Sequence, residues 1–149
     1  MQASLHPPMA GQQTFVIKQT DPELIPAKAR VTITNWVGAN HARVWELQTV
    51  ASELVTNAIR YGIGPEAGWV RMRLSSEPGN FHFAVTDPGR SEQFPQIRKA
   101  DDGSSPDINP GPEVGRFRGL RVVHEITGGF WGHYVNSFHE RVVWALISR

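Results

Sequence analysis

The chain has 149 residues, 40% hydrophobic and 19% charged, enough for the core of one globular domain but not two. With 15 basic and 14 acidic residues the formal charge is +1, which makes no case for nucleic-acid binding, and the absence of cysteine excludes disulfide and thiol chemistry. The longest apolar run, Val142 to Ile147, is too short for a bilayer, and Met1 to Gln13 has no basic start or apolar block, so a cytoplasmic protein is expected.

Residues 1–13, with Pro7, Pro8 and Gly11, read as a loose tail ahead of a single domain over 14–149. Thr14-Phe15-Val16-Ile17-Lys18 is a strand candidate by its β-branched and aromatic content, and Asp21-Pro22 breaks it. Pro26 suits the first turn of a helix, where its missing N–H costs nothing, and Ala27 to Val37 continue that helix. Gly38-Ala39-Asn40 separates it from the next one. There Val44, Leu47, Ala51, Leu54, Ala58 and Tyr61 step by three and four, drawing one apolar stripe along the cylinder. Glu53 and Asn57, four apart, stand one above the other beside that stripe, with Val50 between. An acid and an amide at such a border can look into a cleft, although the same spacing is common on solvated faces. Gly62 is expected to close the helix through a left-handed turn.

After a connecting turn over 62–68, Trp69, Arg71 and Arg73 alternate with Val70, Met72 and Leu74, a strand with one buried face. Glu77-Pro78-Gly79-Asn80 turns the chain, and Phe81 to Thr86 pairs back. The next stretch is irregular and carries Pro88, Pro95, Pro106, Pro110 and Pro112; so long a loop in a small domain reads as a lid, at about 90–119. Leu120 to Thr127 is a short helix ended by Gly128-Gly129, and strands Phe130 to Val135 and Arg141 to Ile147 close the chain. This order predicts an α+β sandwich, with helices covering one face of a largely antiparallel sheet.

Two further stretches carry chemistry. Asp87-Pro88-Gly89 is good turn material, but an Asp at a strand end also accepts from an exocyclic amine, and a glycine beside it lets a flat ring approach. Gly115-Arg116-Phe117-Arg118-Gly119-Leu120 opens a helix, so its backbone N–H groups can face an anion while Arg116 and Arg118 add charge-assisted bonds to phosphate oxygens. A flexible loop with solvated arginines would read the same way. The histidines show no metal-ligand spacing, and the tryptophans are expected to anchor core and interfaces.

Taken together and in this order, Glu53-x-x-x-Asn57, Asp87-x-Gly89 and the glycine segment 115–120 resemble the N box and the two glycine boxes of the GHKL ATPases, which include gyrase and the histidine kinases. Ser52 to Gly62, Gly119 to Val123 and Val143 to Leu146 are similar to the anti-sigma-factor-like serine/threonine kinase branch, and the likeness runs from about Phe15 to Ile147. The resemblance implies the Bergerat fold, binding of ATP with Mg²⁺, and these roles. Asn57 would hold the metal and Glu53 would be the general base toward a serine hydroxyl or a water. Asp87 would hold the adenine amine and Gly89 would make room for the ring. Gly115, Arg116, Arg118, Gly119 and Leu120 would form the phosphate-facing lid. It further implies a sigma factor and an anti-anti-sigma protein as partners, no direct contact with nucleic acid or membrane, and a family habit of forming homodimers.

Three positions depart from the family pattern. Ser91 stands where a second glycine is usual, Val142 where a Thr helps hold a water at adenine, and Phe117 lengthens the lid motif. They motivate a second reading, a catalytically silent binding module of the same fold, and a third is slow ATP hydrolysis without a protein acceptor.

Overall fold

The computed structural model describes residues 10–16, 21–62, 68–89 and 118–149. The elements run β1 (Ala10–Val16), a 3-10 turn (Pro22–Leu24), α1 (Ile25–Val37), α2 (Val44–Asn57), a π-helical turn (Ala58–Gly62), β2 (Trp69–Glu77), β3 (Asn80–Asp87), α3 (Arg118–Thr127), β4 (Trp131–Val135) and β5 (Arg141–Ser148). The five strands form one sheet in the order β1-β2-β3-β5-β4, with every neighbouring pair antiparallel.

Period-two alternation decides which face is covered. Val70, Met72 and Leu74 of β2, Phe81, Phe83 and Val85 of β3, and Val143, Ala145 and Ile147 of β5 are buried in one cluster. The same cluster takes in Ile25, Ala29 and Ile33 of α1, Leu47, Ala51 and Leu54 of α2, and Leu120 and Val123 of α3. All three helices therefore lie on one side of the sheet, in the α+β arrangement that the element order predicts. The other side is polar, with a groove of about 620 Å³ lined by Arg71, Arg73, His82, Thr86, Tyr134 and Val142 among others. No helix among the described residues is long and apolar enough to cross a membrane.

Two boundaries and the type of one helical turn differ from the sequence expectation. Residues 10–13, read as tail, belong to β1, whose ladder runs from Ala10 opposite Ser75 to Val16 opposite Trp69. Pairing along the nine-residue β2 overrides the poor strand propensity of Gly11, Gln12 and Gln13. The central helix reaches Gly62, but its last five residues are π-helical, a local widening that often accompanies functional sites. The third helix starts at Arg118, so residues 118 and 119 of the expected lid are already helical, while 90–117, with Ser91, Gly115, Arg116 and Phe117, lie outside the described residues. Ile17 and Lys18 of the first strand candidate lie outside them as well.

Candidate functional site

The C-terminal half of α2 carries the first group of residues. Asn57 is the last α-helical residue before the π turn and is only 6% exposed. Its Oδ1 is buried and has no hydrogen-bond partner among the described residues. A buried amide oxygen left this way costs free energy unless something completes it, because water is excluded and no donor replaces it. A hard cation shared with phosphates needs only one or two protein oxygens and keeps water for the rest, so this atom suits Mg²⁺. Among the described residues no cluster of three or more His, Cys, Asp or Glu offers an all-protein cage.

Glu53 sits one helical turn before Asn57, in the same helix and partly buried. Burial raises its carboxyl above the ordinary 4.5, and the nearby Arg60 and Arg30 pull the other way without cancelling it. Arg30 reaches over from α1 and donates to Ser52 Oγ at 2.9 Å, which ties α1 to the turn that bears Glu53.

Gly119 brings the third helix to the same place. A Cβ at Gly119 would collide with the Glu53 carboxylate and stand 3.0 Å from its Cδ, so the first turn of α3 closes on the acid with no room for a side chain. The obstructing atoms are the far end of a flexible side chain. Gly119→Ala is therefore expected to leave folding stability unchanged or raise it by up to about 1 kcal/mol through helix propensity. It should nevertheless displace the carboxylate and slow any Glu53-dependent reaction at least about tenfold. Thermal melts beside turnover measurements check both halves. Leu120, expected at the lid, is 1% exposed and packs in the core, so its side chain does not face a ligand. Arg118 is the first residue of α3.

The second group stands at the end of β3. Asp87 continues the phase of Phe81, Phe83 and Val85, which places it on the helix-covered face rather than across the sheet from Glu53 and Asn57. Both α2 and its π-helical extension touch β3. The carboxylate is 2% exposed and Oδ1 accepts the Gly89 N–H at 2.8 Å, a tight turn in which Gly89 takes φ 73°. A Cβ at Gly89 would stand 2.6 Å from the His139 carbonyl oxygen and 3.4 Å from Arg141 Cγ. The chain itself thus demands glycine here, for its backbone angle and for packing against the 136–140 turn, whatever approaches Asp87 from the other side. Burial, opposed by the Gly89 bond and by Arg141, lifts the Asp87 carboxyl to about 6.

Strand parity corrects one reading of the last strand. Val142 pairs with Thr86 and lines the groove on the open side of the sheet, so it faces away from Asp87. The residue directly opposite Asp87 is Arg141, 4% exposed. Sequence reasoning missed Arg141, and the signal was available: an arginine in the same phase as Val143, Ala145 and Ile147 is in phase with the buried face. Arg30 was missed for another reason, since its approach to Ser52 depends on how α1 crosses α2.

The histidine kinase-like ATPase domain model matches residues 19–143, a span that holds Glu53, Asn57, Asp87, Gly89, Gly119 and Arg141. No curated protein matches the chain.

Proposed function

The chain belongs to the histidine kinase-like ATPase domain family, and on that premise we propose that it is an ATP-binding regulatory protein of the anti-sigma-factor kinase kind. In this reading it sequesters a sigma factor and transfers the γ-phosphoryl group of ATP to a serine of an anti-anti-sigma protein. The observation that carries the proposal is Asn57 Oδ1, buried and without a hydrogen-bond partner among the described residues, one helical turn from a carboxyl that burial keeps above its usual range.

Bound ATP with Mg²⁺ would supply the transferable phosphoryl group and the positive charge that steadies it. The chain's own part is positioning. Asp87 would accept from the exocyclic amine of the base, Asn57 would offer an oxygen toward the metal, and the backbone N–H groups at the start of α3 would be available to the phosphates. Glu53 accepts the proton of the incoming serine hydroxyl, and the close approach of α3 at Gly119 limits where its carboxylate can swing. Because phosphoryl transfer depends mostly on position and charge, no covalent residue is needed.

Calorimetric titration with MgATP tests this. The wild type is expected to bind, and Asn57→Ala to lose most of the Mg²⁺-dependent part of the affinity while keeping metal-free nucleotide binding. A wild type that binds no adenine nucleotide, with or without Mg²⁺, removes the reading.

A further inference from the structure

We infer that Arg141 is a base-reading residue, its guanidinium donating to adenine N1 beside the 6-amino group that Asp87 accepts. The inference rests on the ATP-binding reading and adds the residue that completes recognition of the base.

It starts from the ladder. Asp87 and Arg141 are direct partners across β3 and β5, and side chains at directly opposed positions leave a sheet on the same face. Both are buried, at 2% and 4% exposure, so the guanidinium is held at the strand end and not spread over the surface. Its stem is placed by the neighbouring backbone: Arg141 Cγ lies 3.4 Å from where a Gly89 Cβ would stand, and Val135 of β4 is its partner on the other side. Each of the two charges acts on the other's ionisation, as opposite charges at directly opposed positions on one face of a sheet do.

Chemistry then selects the ligand edge. An ionised carboxylate only accepts hydrogen bonds and a guanidinium only donates them. Side by side they complement a donor next to an acceptor, and adenine presents that pair as its 6-amino group and N1. Guanine presents the reverse order, with an acceptor at position 6 and a donor at N1, so a carboxylate fixed by the Gly89 N–H at the amine position favours adenine. A lone carboxylate would read only the amine. With Arg141 both atoms are read directly, without an intervening water.

The test is a thermodynamic cycle between protein and ligand, read as Kd by calorimetry. Its arms are wild type and Arg141→Met, each against MgATP and against the analogue in which N1 is replaced by CH (1-deaza-ATP). Wild type should bind 1-deaza-ATP about 10- to 100-fold more weakly than ATP, the size of one charge-assisted hydrogen bond. Arg141→Met should lose a similar factor for ATP and lose nothing further on going to the analogue. Were Arg141 only to keep Asp87 ionised, the variant would still discriminate between the two ligands, and that outcome overturns the inference. Equal or tighter ATP binding by Arg141→Met overturns it too, since the guanidinium would then be neutral or obstructive. The wild-type arm stands even if the variant does not fold: equal affinity for both ligands rejects the N1 contact. Failure of the wild type to bind any nucleotide would instead remove the ATP-binding reading and this inference with it.

Discussion

Asp87→Asn is expected to weaken MgATP binding by at least about 100-fold and, in the same protein, to raise folding stability at pH 8. Both effects have one origin. Asp87 is 2% exposed at the end of β3, and burial lifts its carboxyl from 3.8 to about 6 despite the Gly89 N–H and the arginine opposite. Arg141 is pushed in the complementary direction, its pKa lowered, again chiefly by burial. Each partner therefore loses more from desolvation than it gains from the other, the usual balance for a buried ion pair.

The sign of the pH dependence follows. A carboxyl whose folded pKa is raised gives its full contribution to stability below the unfolded value of 3.8, and that contribution is lost as pH climbs through about 6. The interval corresponds to about 3 kcal/mol. Asparagine keeps the shape and cannot ionise, so the variant should recover part of it, about 1–3 kcal/mol at pH 8 and little at pH 4. Binding runs the other way: only the ionised carboxylate accepts from the amine without competition from its own proton. Wild-type affinity for MgATP should fall as pH drops through about 6. Chemical denaturation at the two pH values, beside calorimetry across the same range, measures all of this. An Asn variant that is less stable at pH 8 and binds ATP normally would show Asp87 to be a structural partner of Arg141 and nothing more.

Part of this arrangement at the end of β3 was legible in the sequence and part was hidden. The helix bearing Glu53 and Asn57 was legible because its apolar residues keep a helical period, and Leu47, Ala51 and Leu54 are fully buried as that period requires. The hairpin of β2 and β3 was legible from alternation and from a turn of Pro78 and Gly79. What escaped depends on which strand lies beside which. Sequence order does not reveal that β3 pairs with β5, leaving β4 at the edge, and without that pairing nothing sets Arg141 against Asp87. The family resemblance set Val142 where a Thr helps hold a water at adenine, but one step along a strand moves a side chain to the other face of the sheet, and the ladder pairs Val142 with Thr86. Gly119 was legible as a glycine at a helix start, but not as the position that clears the Glu53 carboxylate, which is set by the packing of α3 on α2.

Glu53→Gln is expected to lower phosphoryl transfer by about 10²- to 10⁴-fold while changing MgATP affinity less than about threefold, the signature of a group that works on the reacting proton and not on binding. The carboxyl is suited to that task by its surroundings. Burial holds it above the ordinary 4.5, which makes it a better proton acceptor than a solvated acid, while Arg60 and Arg30 keep enough of it ionised to act. Activity should therefore rise with pH as Glu53 ionises, with an apparent midpoint above that of a free glutamate. Arg30→Ala should move the midpoint higher still by removing one opposing charge, and should free Ser52 Oγ without touching Asn57. Single-turnover transfer from γ-labelled ATP to the protein acceptor, with released phosphate measured in parallel, separates three cases. Loss of both transfer and release in Glu53→Gln supports a common base for serine and water. Full transfer retained by the Gln variant rejects Glu53 as that base, and places catalysis in positioning alone. A wild type that binds MgATP tightly, transfers nothing and releases nothing is a silent binding module, in which Glu53 stays desolvated against Gly119 with no proton to take.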